Sequence, residues 1–197
     1  MADPFRSKRL LYRAPESPED EPFFLGIQQD SLGYQNSNIS IPRPQGKGSM
    51  LGVVICLPPD DDCERSEAEG KKRSSTPIGA IKLSAYPARM MHHRFSEIGI
   101  DIDQEHQGRG YGSQAILWCL GWAFERAGLH RVLIRAFEWN EGAVRLPRRL
   151  GFVEEERGRE ALWFEGRWWD DVSFGILEGE WRVMKGRGSR GESRGRG

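Results

Sequence analysis

The residues with the clearest chemical potential are Gln107-Gly108-Arg109-Gly110-Tyr111-Gly112. They follow an alternating apolar run, Ile98-Gly99-Ile100-Asp101-Ile102, and precede an amphipathic run over 113–127. Strand, glycine-rich turn and helix, in that order, aim several backbone N–H groups and a helix N-terminus at one point. Unpaired donors and the helix dipole both favour an anion there, above all a phosphate. Just upstream, Glu97 and Asp101 project from one face of the strand, with Asp103 two residues further on. Carboxylates so placed can take a proton or hold a cation.

These groups need a scaffold. Residues 95–103 read as a strand with Ile98, Ile100 and Ile102 on one face. In 113–127, Ile116, Leu120, Ala123, Phe124 and Ala127 recur at helical spacing, and Gly128 is a natural stop. Residues 131–137 follow as a strand. Asn140 caps a short helix through Leu150, which Gly151 ends. Upstream, 9–14 reads as a strand. Residues 18–30 hold a helix opened by Ser17, with Pro18 at its first position. Residues 49–57 and 78–86 read as paired strands. Near the end, strands over 160–164 and 169–177 join through Glu165-Gly166, a hairpin signal. The layout is α/β with antiparallel and parallel connections and no internal repeat.

Composition narrows the class. The chain has 197 residues, with seven tryptophans and nine phenylalanines to build a core. No apolar run reaches membrane-spanning length, and Met1-Ala-Asp-Pro-Phe-Arg6 lacks the basic-then-apolar pattern of a secretory signal. The expectation is a soluble protein of the cytoplasm or nucleus, with no membrane partner. Cys56, Cys63 and Cys119 are odd in number and scattered, which reads as free thiols. His92 and His93 are adjacent and would face apart on a strand, so no metal spacing emerges and no metal is expected. Residues 185–197 hold five of the 29 basic residues and one of the 29 acidic ones, leaving a body of about −4. An acidic body argues against nucleic-acid binding except through that tail. The low-complexity tail reads as disordered, and 58–77, without periodicity, as a flexible insertion between strands. The resulting domain spans 6–184, as a monomer or homodimer.

Three phosphate-binding designs compete for the turn. A Walker turn needs Gly-Lys-Ser/Thr, but this turn runs Gly112-Ser113-Gln114. A dinucleotide fold needs G-x-G-x-x-G near the chain start, but here G-x-G-x-G lies mid-chain after several strands. The third design, Gln/Arg-x-x-Gly-x-Gly/Ala, is matched by Gln107, Gly110 and Gly112. With its flanking strand, helix, strand, Asn140 and Leu150-Gly151-Phe152, the chain resembles the GNAT family of acyl-CoA-dependent N-acyltransferases. The close at Gly166-Arg-Trp-Trp-Asp-Asp-Val172 is similar to the branch that includes the ribosomal-protein alanine acetyltransferases.

The resemblance implies the GNAT acyl-CoA N-acyltransferase fold: a mixed, mostly antiparallel sheet with splayed central strands, flanked by helices. It implies acetyl-CoA as co-substrate and a primary amine, a protein N-terminus or a small molecule, as acceptor, with direct attack in a ternary complex. The pyrophosphate would lie on Gln107, Gly108, Arg109, Gly110, Tyr111, Gly112 and Ser113, where glycine permits close approach. Arg109 would add charge at the rim or stand in solvent. The pantetheine arm would lie along Ile100 and Ile102 like an added strand, and a backbone N–H near Ile100 would hold the carbonyl oxygen. Asn140 would touch the coenzyme, cap its helix, or both. Glu97 would serve as general base or stand in a structural ion pair. Many relatives carry an acid tyrosine four residues before the Leu-Gly-Phe glycine, where this chain has Pro147. Proline offers no proton and implies a bent or short helix, so a catalytically weak acyl-CoA-binding regulatory module is the alternative. Trp163, Trp168 and Trp169 read as core and rim packing.

Overall fold

The computed structural model describes residues 3–29, 49–59 and 75–192. Cys63, residues 30–48, most of the 58–77 stretch and the last five residues lie outside them. The described strands are β1 (Leu11–Arg13), β2 (Ser49–Leu57), β3 (Thr76–Ser84), β4 (Phe95–Ile102), β5 (Arg131–Phe137), β6 (Val153–Phe164) and β7 (Arg167–Leu177). The described α-helices are α1 (Glu21–Gln29), α2 (Tyr111–Gly121), α3 (Glu141–Arg149) and α4 (Glu178–Glu192). The seven strands hydrogen-bond in the order β1-β2-β3-β4-β5-β7-β6. The β4–β5 pair is parallel, while β1–β2, β5–β7 and β6–β7 are antiparallel. Two compact units divide the chain: Met1–Lys82 with Ile100–Ile116, and Leu83–Gly99 with Leu117–Gly197.

In the first unit the apolar residues of β1–β3 form the core, with Tyr12, Val54, Ile55, Ile78 and Ile81 buried together with Ala115 and Ile116 of α2. Asp20 is buried beside them because Arg13 grips both its oxygens at 2.6 Å. That guanidinium holds the Asp20 carboxyl below its ordinary range. The helix expected over 18–30 therefore starts later, at Glu21: Asp20 N donates to Glu16 O, closing a turn ahead of it. Gly79 sits where a β-carbon would stand 2.5 Å from the main-chain oxygen of Asp101. Glycine here lets β3 and the end of β4 approach closely.

In the second unit, β5 alternates as its sequence dictates. Val132, Ile134 and Ala136 are buried, while Arg131, Leu133, Arg135 and Phe137 face the other side. Cys119, Leu120, Ala123, Phe124 and Trp181 complete this core, the last two with rings 5.3 Å apart. Burial pushes the Cys119 thiol up to about 12, as suits a packed free thiol.

Several elements differ from expectation. The helix expected over 113–127 begins at Tyr111 and passes after Gly121 into a π-helical turn, Trp122–Arg126, which Gly128 (φ +63°) ends. His92 and His93 lie on a 3-10 helix, Ala88–His93, with rings 3.8 Å apart rather than on opposite strand faces. Strand β6 begins at Val153, well before 160, because ion pairs replace apolar alternation: Glu154 binds Arg148 and Arg157, and Glu155 binds Arg131. Helix α4 runs through residues 185–192, read from composition as tail. Its anchors are buried Trp181 and Lys185, which reaches Glu125 at 2.5 Å and lies over the Trp181 ring. Trp163 and Trp168 are not core: they are 58% and 55% exposed and pair edge-on with each other.

Replacing Gly79 by alanine forces its β-carbon against backbone rather than a flexible side chain. The variant is expected to lose about 1–3 kcal/mol of unfolding free energy, read as a lower urea midpoint at unchanged slope.

Candidate functional site

The first unit holds the glycine turn. Gly108 has φ +71° and Gly110 φ +82°, both in the left-handed region that favours glycine. Gly110 caps α2: its carbonyl accepts the first helical bond, from Gln114 N at 3.2 Å. The N–H groups of Tyr111, Gly112 and Ser113 make up the first turn of that helix, whose dipole is positive at this end. Arg109 is exposed at the tip. Gln107 does not face the turn with its side chain. Its Nε2 donates to the Ile102 carbonyl at 2.8 Å, tying the turn back to β4.

The direction of β4 follows from its neighbour. Asp103 N donates to Ile78 O at 2.9 Å, and the Asp101 carbonyl lies against Gly79. Main-chain groups alternate along a strand, so those of Ile100 and Ile102 point to the opposite edge. The β4–β5 ladder has four pairs, Phe95↔Arg131 to Ile98↔Ile134, whereas β4 continues to Ile102. The N–H of Ile100 and Ile102 thus lie on an edge beyond that ladder. Asp101 is half-buried, and loss of water raises its carboxyl above the ordinary range, with Lys82 opposing. Asp103 is paired to His106 Nδ1 at 3.0 Å.

The second unit gathers the charged groups. Glu97 accepts from Arg135 through both oxygens, Oε1 from Nε at 3.1 Å and Oε2 from Nη2 at 3.0 Å. The geometry is thus that of the ion pair. Arg135 also approaches Asp171 of β7, with Nη1 3.7 Å from Oδ2. Desolvation, and then Glu97, raise the Tyr86 phenol above its ordinary value. Asn140 caps α3, its Oδ1 accepting from Ala143 N at 2.9 Å. The cap occupies the oxygen, and the amide NH2 is the half of the side chain that can serve a ligand.

The sequence profile of the Acetyltransferase (GNAT) domain matches residues 9–153. The chain belongs to the GNAT acetyltransferase family. YoaA of Bacillus subtilis, an uncharacterized N-acetyltransferase, is 30% identical over 172 residues, covering 86% of this chain and 94% of its own. YdaF of the same bacterium, which carries the name of a ribosomal N-acetyltransferase, is 37% identical over 93 residues, covering 47% of this chain and 51% of its own. The chain thus spans about half the length of the first curated relatives it matches. The crystal structure of spermidine N-acetyltransferase from Vibrio cholerae in complex with CoA and spermine aligns with a TM-score of 0.69 at 22% identity, covering 89% and 99% of the two chains. That likeness shows the fold, and the seven-stranded mixed sheet is the GNAT sheet.

In this GNAT chain, Pro147 is buried inside α3, which has only nine residues. Among the described residues no cluster of metal-ligating side chains occurs, and no helix is long and apolar enough to cross a membrane. Arg9, which no sequence motif singles out, holds the turn. Its Nη2 donates to the Arg109 carbonyl at 3.1 Å, its Nε to Gln114 Oε1 at 3.3 Å, and its guanidinium lies 4.8 Å from the centre of the Tyr111 ring. Ser7 Oγ accepts from Gln114 Nε2 at 2.9 Å. A hundred residues separate Arg9 from the turn it holds, so no local pattern announces the contact. Arg9→Gln is expected to lower stability by about 0.5–1.5 kcal/mol in urea unfolding, and Arg9→Lys to restore little of it. A single ammonium cannot stack on the ring and donate to two acceptors in the arginine geometry.

Proposed function

We propose that this chain is an N-acetyltransferase that moves the acetyl group of acetyl-CoA to a primary amine by direct attack in a ternary complex. The observation that carries the reading is the 107–112 turn, where two left-handed glycines lead into the N-terminus of α2. Such a turn presents main-chain donors to a diphosphate with no β-carbon in the way. The amides of Gly108, Arg109, Gly110, Tyr111, Gly112 and Ser113 take the pyrophosphate, and Gln107 fixes the turn to β4. The outward edge of Ile100 and Ile102 suits the amides of a pantetheine arm. Ile102 contributes its N–H, since Gln107 holds its carbonyl. The Ile100 N–H is suited to the thioester oxygen as charge develops there. The amide NH2 of Asn140 is offered to the coenzyme while Oδ1 caps α3.

A free alkyl amine is mostly protonated near neutral pH, so transfer needs a proton acceptor. Glu97, with Asp171 beside the same Arg135, is the candidate in the second unit. The acceptor is a protein N-terminus or a small amine, in line with the names of YdaF and of the Vibrio cholerae enzyme. The functional domain spans 6–184, with the 58–77 stretch as an insertion.

The test is release of free thiol from acetyl-CoA in the presence of an amine panel containing spermidine and an alanine-initiated peptide. Transfer to at least one amine is expected. Coenzyme binding without turnover on any amine would instead favour a regulatory module. Gly110→Ala strains a left-handed position and brings a β-carbon within 3.2 Å of Arg9 Nη2. It is expected to weaken CoA binding in calorimetry by about tenfold, the equivalent of 1–2 kcal/mol for a non-glycine residue in that region.

A further inference from the structure

The carboxylates of the second unit are not equivalent. Glu97 is 17% exposed and spends both oxygens on the planar fork of Arg135. A carboxylate held bidentate by a guanidinium has both oxygens engaged and presents neither freely to an incoming ammonium. Asp171 is in a different state. Its side chain is 26% exposed, its Oδ1 is buried with no hydrogen-bond partner among the described residues, and its Oδ2 lies 3.7 Å from Arg135, beyond hydrogen-bond distance. An anion with one oxygen dry and unbonded is less stabilised, and so more basic.

Strand register puts these groups on one face. Glu97 is opposite Leu133, Arg135 is opposite Ser173 and Phe137 is opposite Asp171. Directly paired residues project to the same side. Phe137 begins an aromatic stack: its ring lies 4.6 Å from that of Trp139, which lies 4.6 Å from Phe164 and 5.9 Å from Trp169. An apolar neighbour keeps water from stabilising the Asp171 anion. The charged groups that act on Asp171 are Arg135 of β5, Glu97 of β4 and Glu156 of β6. Desolvation first raises its carboxyl above the ordinary range. Arg135 opposes that shift, while Glu97 and Glu156 add to it.

We propose that Asp171, through Oδ2, is the catalytic residue that takes the proton from the acceptor ammonium, and that Glu97 is a positioning residue that keeps Arg135 away from Asp171. This rests on the acetyltransferase reading above. The ammonium gives one proton to Asp171. The neutral nitrogen forms the C–N bond to the acyl carbon, the C–S bond breaks, and the surplus proton on nitrogen goes to the departing sulfur. Asp171 then returns its proton to solvent, leaving amide and free thiol.

The two carboxylates give opposite responses to substitution. A base works deprotonated, so activity falls as pH falls through its pKa. In Asp171→Asn that limb gives way to one set by the ionisation of the acceptor amine itself, at higher pH, and kcat/KM near neutral pH falls by about 100-fold. In Glu97→Gln the released Arg135 can pair with Asp171 and a neighbouring negative charge is lost. Both changes lower the Asp171 pKa, so the limb survives and moves to lower pH. If Glu97 were the base, Glu97→Gln would abolish the limb.

The test measures thiol release from acetyl-CoA against pH for the wild type, Asp171→Asn and Glu97→Gln, using the same amine panel. Carboxyl 13C titration by NMR on the wild type and Glu97→Gln gives a readout that needs no acceptor. The expected result is an Asp171 midpoint above the ordinary carboxylate range, falling in Glu97→Gln, with the kinetic limb moving alongside it. An Asp171 midpoint at or below the ordinary carboxylate range would overturn the assignment, and so would an acid limb left unchanged in Asp171→Asn. Transfer that continues with such an unchanged limb defeats the role of Asp171 alone. Absence of transfer by the wild type to every panel amine defeats the acetyltransferase reading, and this role with it.

Discussion

The orientation of the peptide groups of β4 constrains everything else. Once Asp101 and Asp103 turn their main chain to β3, Ile100 and Ile102 must turn theirs away. Gly79 makes this possible, because any β-carbon there would collide with the Asp101 oxygen. The ladder to β5 ends at Ile98, so the last residues of β4 carry polar main-chain groups beyond it. Buried peptide groups demand partners, so an edge of this kind is kept only where something else supplies them. The turn that follows continues the same logic, with left-handed glycines and a helix start in place of a further strand.

Charge around Glu97 and Asp171 is organised by a single shared guanidinium. One guanidinium, Arg135, stands between Glu97 and Asp171 and satisfies the first far better than the second. The outcome is a difference between two carboxylates, one with both oxygens on the guanidinium and the other with Oδ1 buried and, among the described residues, unpartnered. Elsewhere on the same strands the arginines are better shared. Arg157 serves Glu154, Glu138 and Asp170, and the exposed start of β6 is stabilised by such pairs where apolar alternation is lacking.

What the sequence made legible tracks how local the signal was. Strand β5, the Asn140 cap, the left-handed Gly128 and Gly151, and the Glu165-Gly166 turn with both φ values positive all follow from patterns a few residues long. The glycine turn was legible for the same reason, and so was the family. The start of β6 was not, because Glu154-Glu155-Glu156-Arg157 shows no period-two alternation and its partners lie on other elements. The 3-10 helix at Ala88–His93 and the π-helical turn after Gly121 lack distinctive residue patterns. Arg9 and Asp171 were missed because their meaning lies in contacts across long sequence separations. Glu97 was singled out, but only the register of β4 against β5 reveals that Arg135 occupies it.

The most direct measurement is amide-resolved NMR of the 15N-labelled protein titrated with CoA. Binding along the β4 edge and into the turn requires saturable shifts at the N–H of Ile100, Ile102, Gly108, Gly110, Tyr111 and Gly112, with slowed hydrogen exchange at the two isoleucines. Saturable CoA binding that leaves those six amides unmoved would contradict it.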